Sequence, residues 1–200
     1  MRARVGIHFG DVELRQNSPA EVASGSTVFD VDGVALPVAA RVSSLAGARQ
    51  TLVTDAVVAH LDPASVKLVS HGHWQVKGIP DPIELFELGD DLSHFLPPDS
   101  ANKGYRVVLD GASWRPAREI RNSIPAEHDE FVGRGAELRR LADLQNSGAR
   151  LISVVGIGGV GKTRLVTHFA RRWLGEFPGG AWFCDLAEAR QFLGLHHVRA

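Results

Sequence analysis

Leu151-Ile152-Ser153-Val154-Val155-Gly156-Ile157-Gly158-Gly159-Val160-Gly161-Lys162-Thr163 sets an apolar run directly before Gly-x-x-x-x-Gly-Lys-Thr, the spacing of a phosphate-binding loop. Gly156, Gly158, Gly159 and Gly161 allow backbone conformations closed to other residues, so successive N–H groups around Val160 can point at phosphate oxygens. Lys162 adds a positive charge, and Thr163 falls at the start of the next helix. There its hydroxyl can reach a Mg²⁺ ion while the helix N-terminus faces the anion. Residues 156 to 163 are therefore the expected site for ATP or ADP with Mg²⁺. A glycine-rich turn with an incidental lysine is the plainer alternative, and an apolar strand before and a helix after count against it.

Outward from this loop, Leu151 to Val155 reads as a central strand, Lys162 to Leu174 as a helix and Ala181 to Leu186 as a second strand. That βαβ order predicts a parallel sheet. Upstream, Phe131-Val132-Gly133-Arg134 leads into a helix to about Gln145, which aligns Leu138, Leu141 and Leu144 on one face. Residues 89 to 126 carry Asp90, Asp91, Pro97-Pro98, Asn102, Gly104, Pro116 and Pro125 and read as a linker, within which Tyr105 to Leu109 and Trp114 could add a strand.

The segment before the linker alternates short strands with helices. Val5 to Phe9 predicts a strand with Asp11 to Leu14 as its hairpin partner across Gly10, followed by a polar loop over 15 to 27 and a strand near Val28 to Val31. Val38, Val42 and Leu45 recur at helical spacing within Val34 to Ala46, with Arg41 on another face and Pro37 in the first turn. Thr51 to Thr54 follows as a strand, with Thr54 placed to cap a helix from Asp55 to Leu61. Val66 to Val69, His73 to Val76 and Ile83 to Leu88 are further strands, the last two separated by the turn Lys77 to Pro82. The whole is α/β, an α+β unit over 1–88 followed by the start of a parallel-sheet unit over 127–200.

Charge divides the chain in the same place. Residues 1–100 carry 7 basic and 13 acidic side chains, a net of −6, and residues 101–200 carry 15 and 10, a net of +5. The arginines of the second half are scattered and not interleaved with aromatics, which points to solvated helix faces and away from nucleic acid. Cys184 is the single cysteine, so no disulfide can form within the chain. With no apolar stretch of membrane-spanning length and no signal-peptide pattern, a cytoplasmic protein is expected.

Two resemblances follow from these stretches. Phe131-Val132-Gly133-Arg134 with Glu137-Leu138, the loop Gly156 to Thr163, and Gly180-Ala181-Trp182-Phe183-Cys184-Asp185-Leu186 resemble the opening of a signal-transduction P-loop ATPase of the NB-ARC-like kind. The resemblance implies that Val132 and Arg134 lie near the adenine. Arg4 to Val12, Gly33 to Val42 and His73 to Leu85 resemble the second half of a class III adenylate/guanylate cyclase domain, a ferredoxin-like α+β fold. That implies formation of cyclic AMP from ATP, homodimerisation through the complete cyclase-like domain, and a multidomain signalling protein of which this chain is a fragment.

The departures from the cyclase pattern are specific. The two metal-binding aspartates of that family would precede Met1. Arg41 matches the arginine that stabilises charge on the phosphate in the transition state. Its usual asparagine partner four residues earlier is Pro37, which has no side-chain donor or acceptor to orient a ribose. Asp30 matches a residue that reads the purine edge, with a solvated turn aspartate as the alternative. A catalytically inactive dimerisation or sensing module on a nucleotide-gated scaffold is thus the competing reading. His71 with His73 and His196 with His197 lack the third ligand or the geometry for a metal site, and Asp11 with Glu13 share a strand face that reads as a solvent-facing acidic edge.

Overall fold

The structure, a computed structural model, describes residues 3–62, 64, 66–90, 93, 95–100 and 103–186. His196 and His197, with Asp91 and Asn102 of the expected linker, lie outside the described residues. The elements are β1 (Val5–Ile7), β2 (Glu13–Gln16), α1 (Pro19–Ala23), β3 (Phe29–Asp32), α2 (Ala35–Leu45), β4 (Thr51–Thr54), α3 (Asp55–Val58), β5 (Lys67–Val76), β6 (Ile83–Gly89), β7 (Gly104–Asp110), β8 (Ser113–Pro116), α4 (Gly135–Asn146) and α5 (Lys162–Arg172). The architecture is mixed α/β, built on a six-stranded sheet of order β1-β4-β6-β5-β7-β8. Among the described residues no helix is long and apolar enough to cross a membrane.

The first half is organised by a βαβ unit. β1 and β4 run parallel, with Gly6 opposite Leu52, and α2 makes the crossover between them as parallel pairing requires. Val38, Val42 and Leu45, the three apolar residues at helical spacing, are buried against Leu52, Trp74, Val76 and Leu85. The helix lies so close to β1 that a Cβ on Gly6 would stand 2.0 Å from the backbone nitrogen of Ser43. Only glycine fits there. β6 then pairs antiparallel with both β4 and β5, and β7 extends the sheet beyond β5.

Several local expectations are corrected. β2 does not fold back on β1; it pairs with β3, Arg15 opposite Asp30, in a separate two-stranded ribbon. The crossover through α2 commits β1 to β4, so the residues after Gly10 seek another partner. The loop over 15 to 27 contains α1, started by a capping box in which Ser18 Oγ accepts from the Glu21 N–H while the Glu21 carboxylate accepts from the Ser18 N–H. That Ser-x-x-Glu spacing was present in the sequence. The two strands expected at 66–69 and 73–76 are one strand, β5, with a bulge between Ser70 and His73 where Gly72 takes φ 72°. The helix expected to Leu61 is the short α3, and Thr54 precedes it without a side-chain cap. The Thr54 hydroxyl is instead hydrogen-bonded to His8 Nδ1 at 2.9 Å.

β7 and β8 carry the first sheet through residues read as linker, Leu109 standing opposite Trp114. In the second half α4 and α5 form where helical spacing placed them, and Leu138, Leu141, Leu165, Phe169 and Trp173 make a second core cluster. The expected βαβ does not form. Residues 151–155 are in no strand, with Leu151 and Val155 86% and 88% exposed, while Ile152 and Val154 pack on the helical cluster. The alternation of an extended segment is there, but its backbone has no ladder to join. Ala181, expected to open a strand beside it, makes an isolated parallel bridge with Asn122 instead.

A buried polar group lies inside the first sheet. Glu87 accepts from Gln50 Nε2 at 2.7 Å and from His71 Nε2 at 2.9 Å, and Gln50 Nε2 also donates to the Leu96 carbonyl. Burial lowers the His71 pKa from its ordinary value, opposed by the Glu87 carboxylate.

Two predictions follow from these contacts. Gly6→Ala should cost about 3 kcal/mol by overpacking against backbone, whereas Gly47→Ala, whose added Cβ would meet only Gln50 Oε1 at 3.5 Å, should change stability by no more than about 0.5 kcal/mol. Urea unfolding of both variants checks this, and equal losses would contradict the close approach of α2. Secondly, a histidine whose folded pKa is lowered binds fewer protons than the unfolded chain, so its contribution is fully present above the unfolded pKa of 6.5 and lost as pH falls through the lower folded value. Stability of the native chain should therefore fall more steeply below pH 6.5 than that of His71→Gln; parallel curves would show that His71 is not buried.

Candidate functional site

The loop Gly156 to Gly161 turns on left-handed glycines. Gly159 has φ 75° and Gly161 φ 82°, with Gly156 at 158°, while Gly158 is not among the positive-φ residues. Gly161 is the residue before α5, so Lys162 and Thr163 open the helix, where backbone N–H groups lack intrahelical partners. Lys162 Nζ folds over the loop and donates to the carbonyls of Gly156 at 2.9 Å and Ile157 at 2.8 Å. The lysine thus lies on the same short arc of backbone as the glycines. Thr163 is exposed, and its carbonyl accepts from Thr167 Oγ1 at 3.0 Å.

Arg134 meets this loop from the other side. It precedes α4 in a left-handed conformation, φ 56° and ψ 28°, and its guanidinium donates to the Val160 carbonyl. Arg134 and the loop are therefore in contact across 26 residues. Val132, two residues before Arg134, is 79% exposed.

One face of α5 holds the chain that leads to Arg134. Arg164 Nη2 donates to the carbonyls of Asp129 and Glu130, the His168 ring stacks on Phe131 at 3.9 Å while its Nδ1 donates to Glu127, and Arg171 donates to the carbonyls of Ile124 and Pro125. Sequence reasoning did not single out these three residues. Their spacing of four and three places them on one helical face, and that was the available signal.

The residues matched to the cyclase pattern lie elsewhere. Arg41 is half-buried on α2, and Pro37 sits in the first turns of the same helix. Asp30 is on β3, where its carboxylate accepts from Arg15 Nη2 and Thr27 Oγ1, each at 3.0 Å. Those hydrogen bonds, Arg15 foremost, hold its pKa below the ordinary carboxylate value. The structure brings the loop and Arg134 together, whereas Arg41 and Asp30 stand on α2 and β3. His71 is buried against Glu87, and the His73 ring lies tilted against Trp114 with centroids 4.6 Å apart. Among the described residues no group of three or more His, Cys, Asp or Glu side chains could hold a metal ion.

Comparison with known proteins gives partial likenesses. No family model matches the chain. It is 38% identical over 87 residues to the regulatory protein AfsR of Streptomyces coelicolor, a match covering 39% of this chain and 8% of that protein. The corresponding figures for the regulatory protein AfsR of Streptomyces griseus are 40% over 70 residues, 33% and 7%. An uncharacterized protein of Mycobacterium bovis is 38% identical over 68 residues, covering 34% of this chain and 17% of its own. A solved adenylate cyclase from Trypanosoma brucei is 29% identical over 42% of this chain and 35% of that chain, with a TM-score of 0.36. The chain spans less than a fifth of the length of the curated relatives it matches.

Proposed function

We propose that this chain is the nucleotide-binding part of a larger regulatory protein, in which residues 156–163 hold the phosphates of ATP or ADP with Mg²⁺. The observation that carries this reading is the position of Lys162. Its ammonium is held by the Gly156 and Ile157 carbonyls, within reach of an anion set against the N-terminus of α5. An incoming phosphate offers stronger, charge-assisted partners to that ammonium. The first N–H groups of α5 and the loop amides supply the remaining donors.

The donor set also suits the metal. A hard Mg²⁺ ion takes oxygen ligands and is commonly held by one or two protein oxygens together with phosphate and water. Thr163 offers a hydroxyl at the position where the phosphates would lie. Arg134, tied to the Val160 carbonyl, would fix the base-side wall, with exposed Val132 as an apolar contact for the purine. The name of the two Streptomyces relatives, regulatory protein, supports a signalling role for the protein of which such a site is part.

For the first half, the reading we favour is a non-catalytic, cyclase-like module. Pro37 stands where the resemblance calls for an asparagine, and Asp30, matched to purine reading, is engaged by Arg15 and Thr27. Arg41 alone cannot supply two-metal chemistry at the α-phosphate.

Two measurements test these assignments. Loss of a charge-assisted hydrogen bond is worth roughly 1.5–3 kcal/mol, so Lys162→Ala should weaken Mg-ATP binding on the order of ten- to a hundredfold by calorimetry; equal affinity for both proteins would refute the site. Incubated with Mg-ATP, the chain should release no cyclic AMP. Activity that disappears in Arg41→Ala would overturn the non-catalytic reading.

A further inference from the structure

The two halves are joined at a buried arginine. Arg106, on β7, has a side chain 10% exposed and donates through Nη2 to Glu176 Oε1 at 2.5 Å, Glu176 being 44% exposed. Glu176 belongs to the single helical turn Leu174–Glu176, separated from the end of α5 only by Trp173. The guanidinium lies between two glycines. A Cβ on Gly72 of the β5 bulge would stand 2.9 Å from Nη2, and one on Gly175 would stand 2.7 Å from Nε. Arg106 Nε and Nη1 are buried with no hydrogen-bond partner among the described residues. One residue before Trp173, Arg172 donates through Nε and Nη2 to the Pro97 carbonyl at 2.8 and 2.6 Å.

α5 therefore has the candidate phosphate loop at one end and this joint at the other. Its 11 residues span about 16 Å, and its inward face, Leu165 and Phe169, is locked into the second core cluster. A packed helix moves as a unit, not by bending. A buried guanidinium with a single, half-exposed partner and two unmatched nitrogens is an incompletely satisfied contact, the kind that a modest displacement can open.

We propose that the Arg106–Glu176 contact is a latch coupling nucleotide occupancy of residues 156–163 to the six-stranded sheet. This rests on the nucleotide-binding reading above and assigns the regulation of that site. Lys162 is held on its own loop while the latch is closed. A nucleotide must draw Lys162 off the Gly156 and Ile157 carbonyls and resettle the first turn of α5. The closed latch resists that movement, so nucleotide binding and latch closure oppose one another. Linkage makes the effect reciprocal: opening the latch favours nucleotide, and nucleotide favours opening.

The test uses the full chain. Glu176→Gln removes the charge of the partner, and Gly175→Ala displaces the guanidinium, a flexible group able to move without unfolding the sheet. Both variants should bind Mg-ATP about fivefold or more tightly than the native chain by calorimetry. In the native chain, Mg-ATP should accelerate amide exchange over residues 104–110; in Glu176→Gln this acceleration should be absent. Native-chain binding with unchanged or weaker affinity in both variants, and exchange over 104–110 indifferent to nucleotide, would overturn the latch and leave the binding site standing. Failure of the native chain to bind Mg-ATP would overturn the binding site, and the latch with it.

Discussion

The contact between Arg106 and Glu176 fixes how the sheet and the helices sit together. Burying the Arg106 guanidinium between Gly72 and Gly175 takes its donors out of water, and Glu176 offsets part of that cost. Glycine at both flanking positions is what admits the guanidinium. Arg172, bound to the Pro97 carbonyl and 3.4 Å from Asp99, holds the same helix end to the segment before β7. Between them these two arginines tie the end of α5 and the turn after it to β7 and the segment before it.

Next to this joint lies the polar group of Gln50, His71 and Glu87. Burial keeps the His71 pKa low, and the positive charges of Arg106 and Arg172 act in the same direction against the pull of Glu87. The His71 ring donates to Glu87 while the His71 backbone carbonyl accepts from Trp74 Nε1 at 3.0 Å. The sheet's interior and the inter-half joint are thus electrostatically connected. A cavity of about 660 Å³ runs along the same boundary, with Lys67, His71, Arg106, Arg139 and Trp173 in its walls.

How much was legible depended on the range of the interaction. Val38, Val42 and Leu45 declared α2 and its buried face, because a helix turns on residues three and four apart. The left-handed Gly159 and Gly161 were likewise readable, since glycine alone takes such angles at little cost. The Ser18 to Glu21 box is equally local, though the polar residues around it give α1 no apolar face to announce it. The clamp of Arg164, His168 and Arg171 was legible as a helical face, but nothing in its spacing said that the face would grip residues 124–131.

By itself, then, the sequence determined the helices α2, α4 and α5, the strands β4 and β6, and the turn geometry of the loop, all of which draw on neighbours within a few positions. Only tertiary structure decided which strands meet. β1 took β4 and left β2 to β3, β7 and β8 joined the first sheet, and Leu151 to Val155 stayed unpaired despite an apolar pattern suited to a central strand. A strand's hydrogen bonds are made to residues that its own sequence does not name. The same holds for Arg106, whose partner is 70 residues away: a charge on an apolar strand reveals its role only when the fold brings up the carboxylate that justifies burying it.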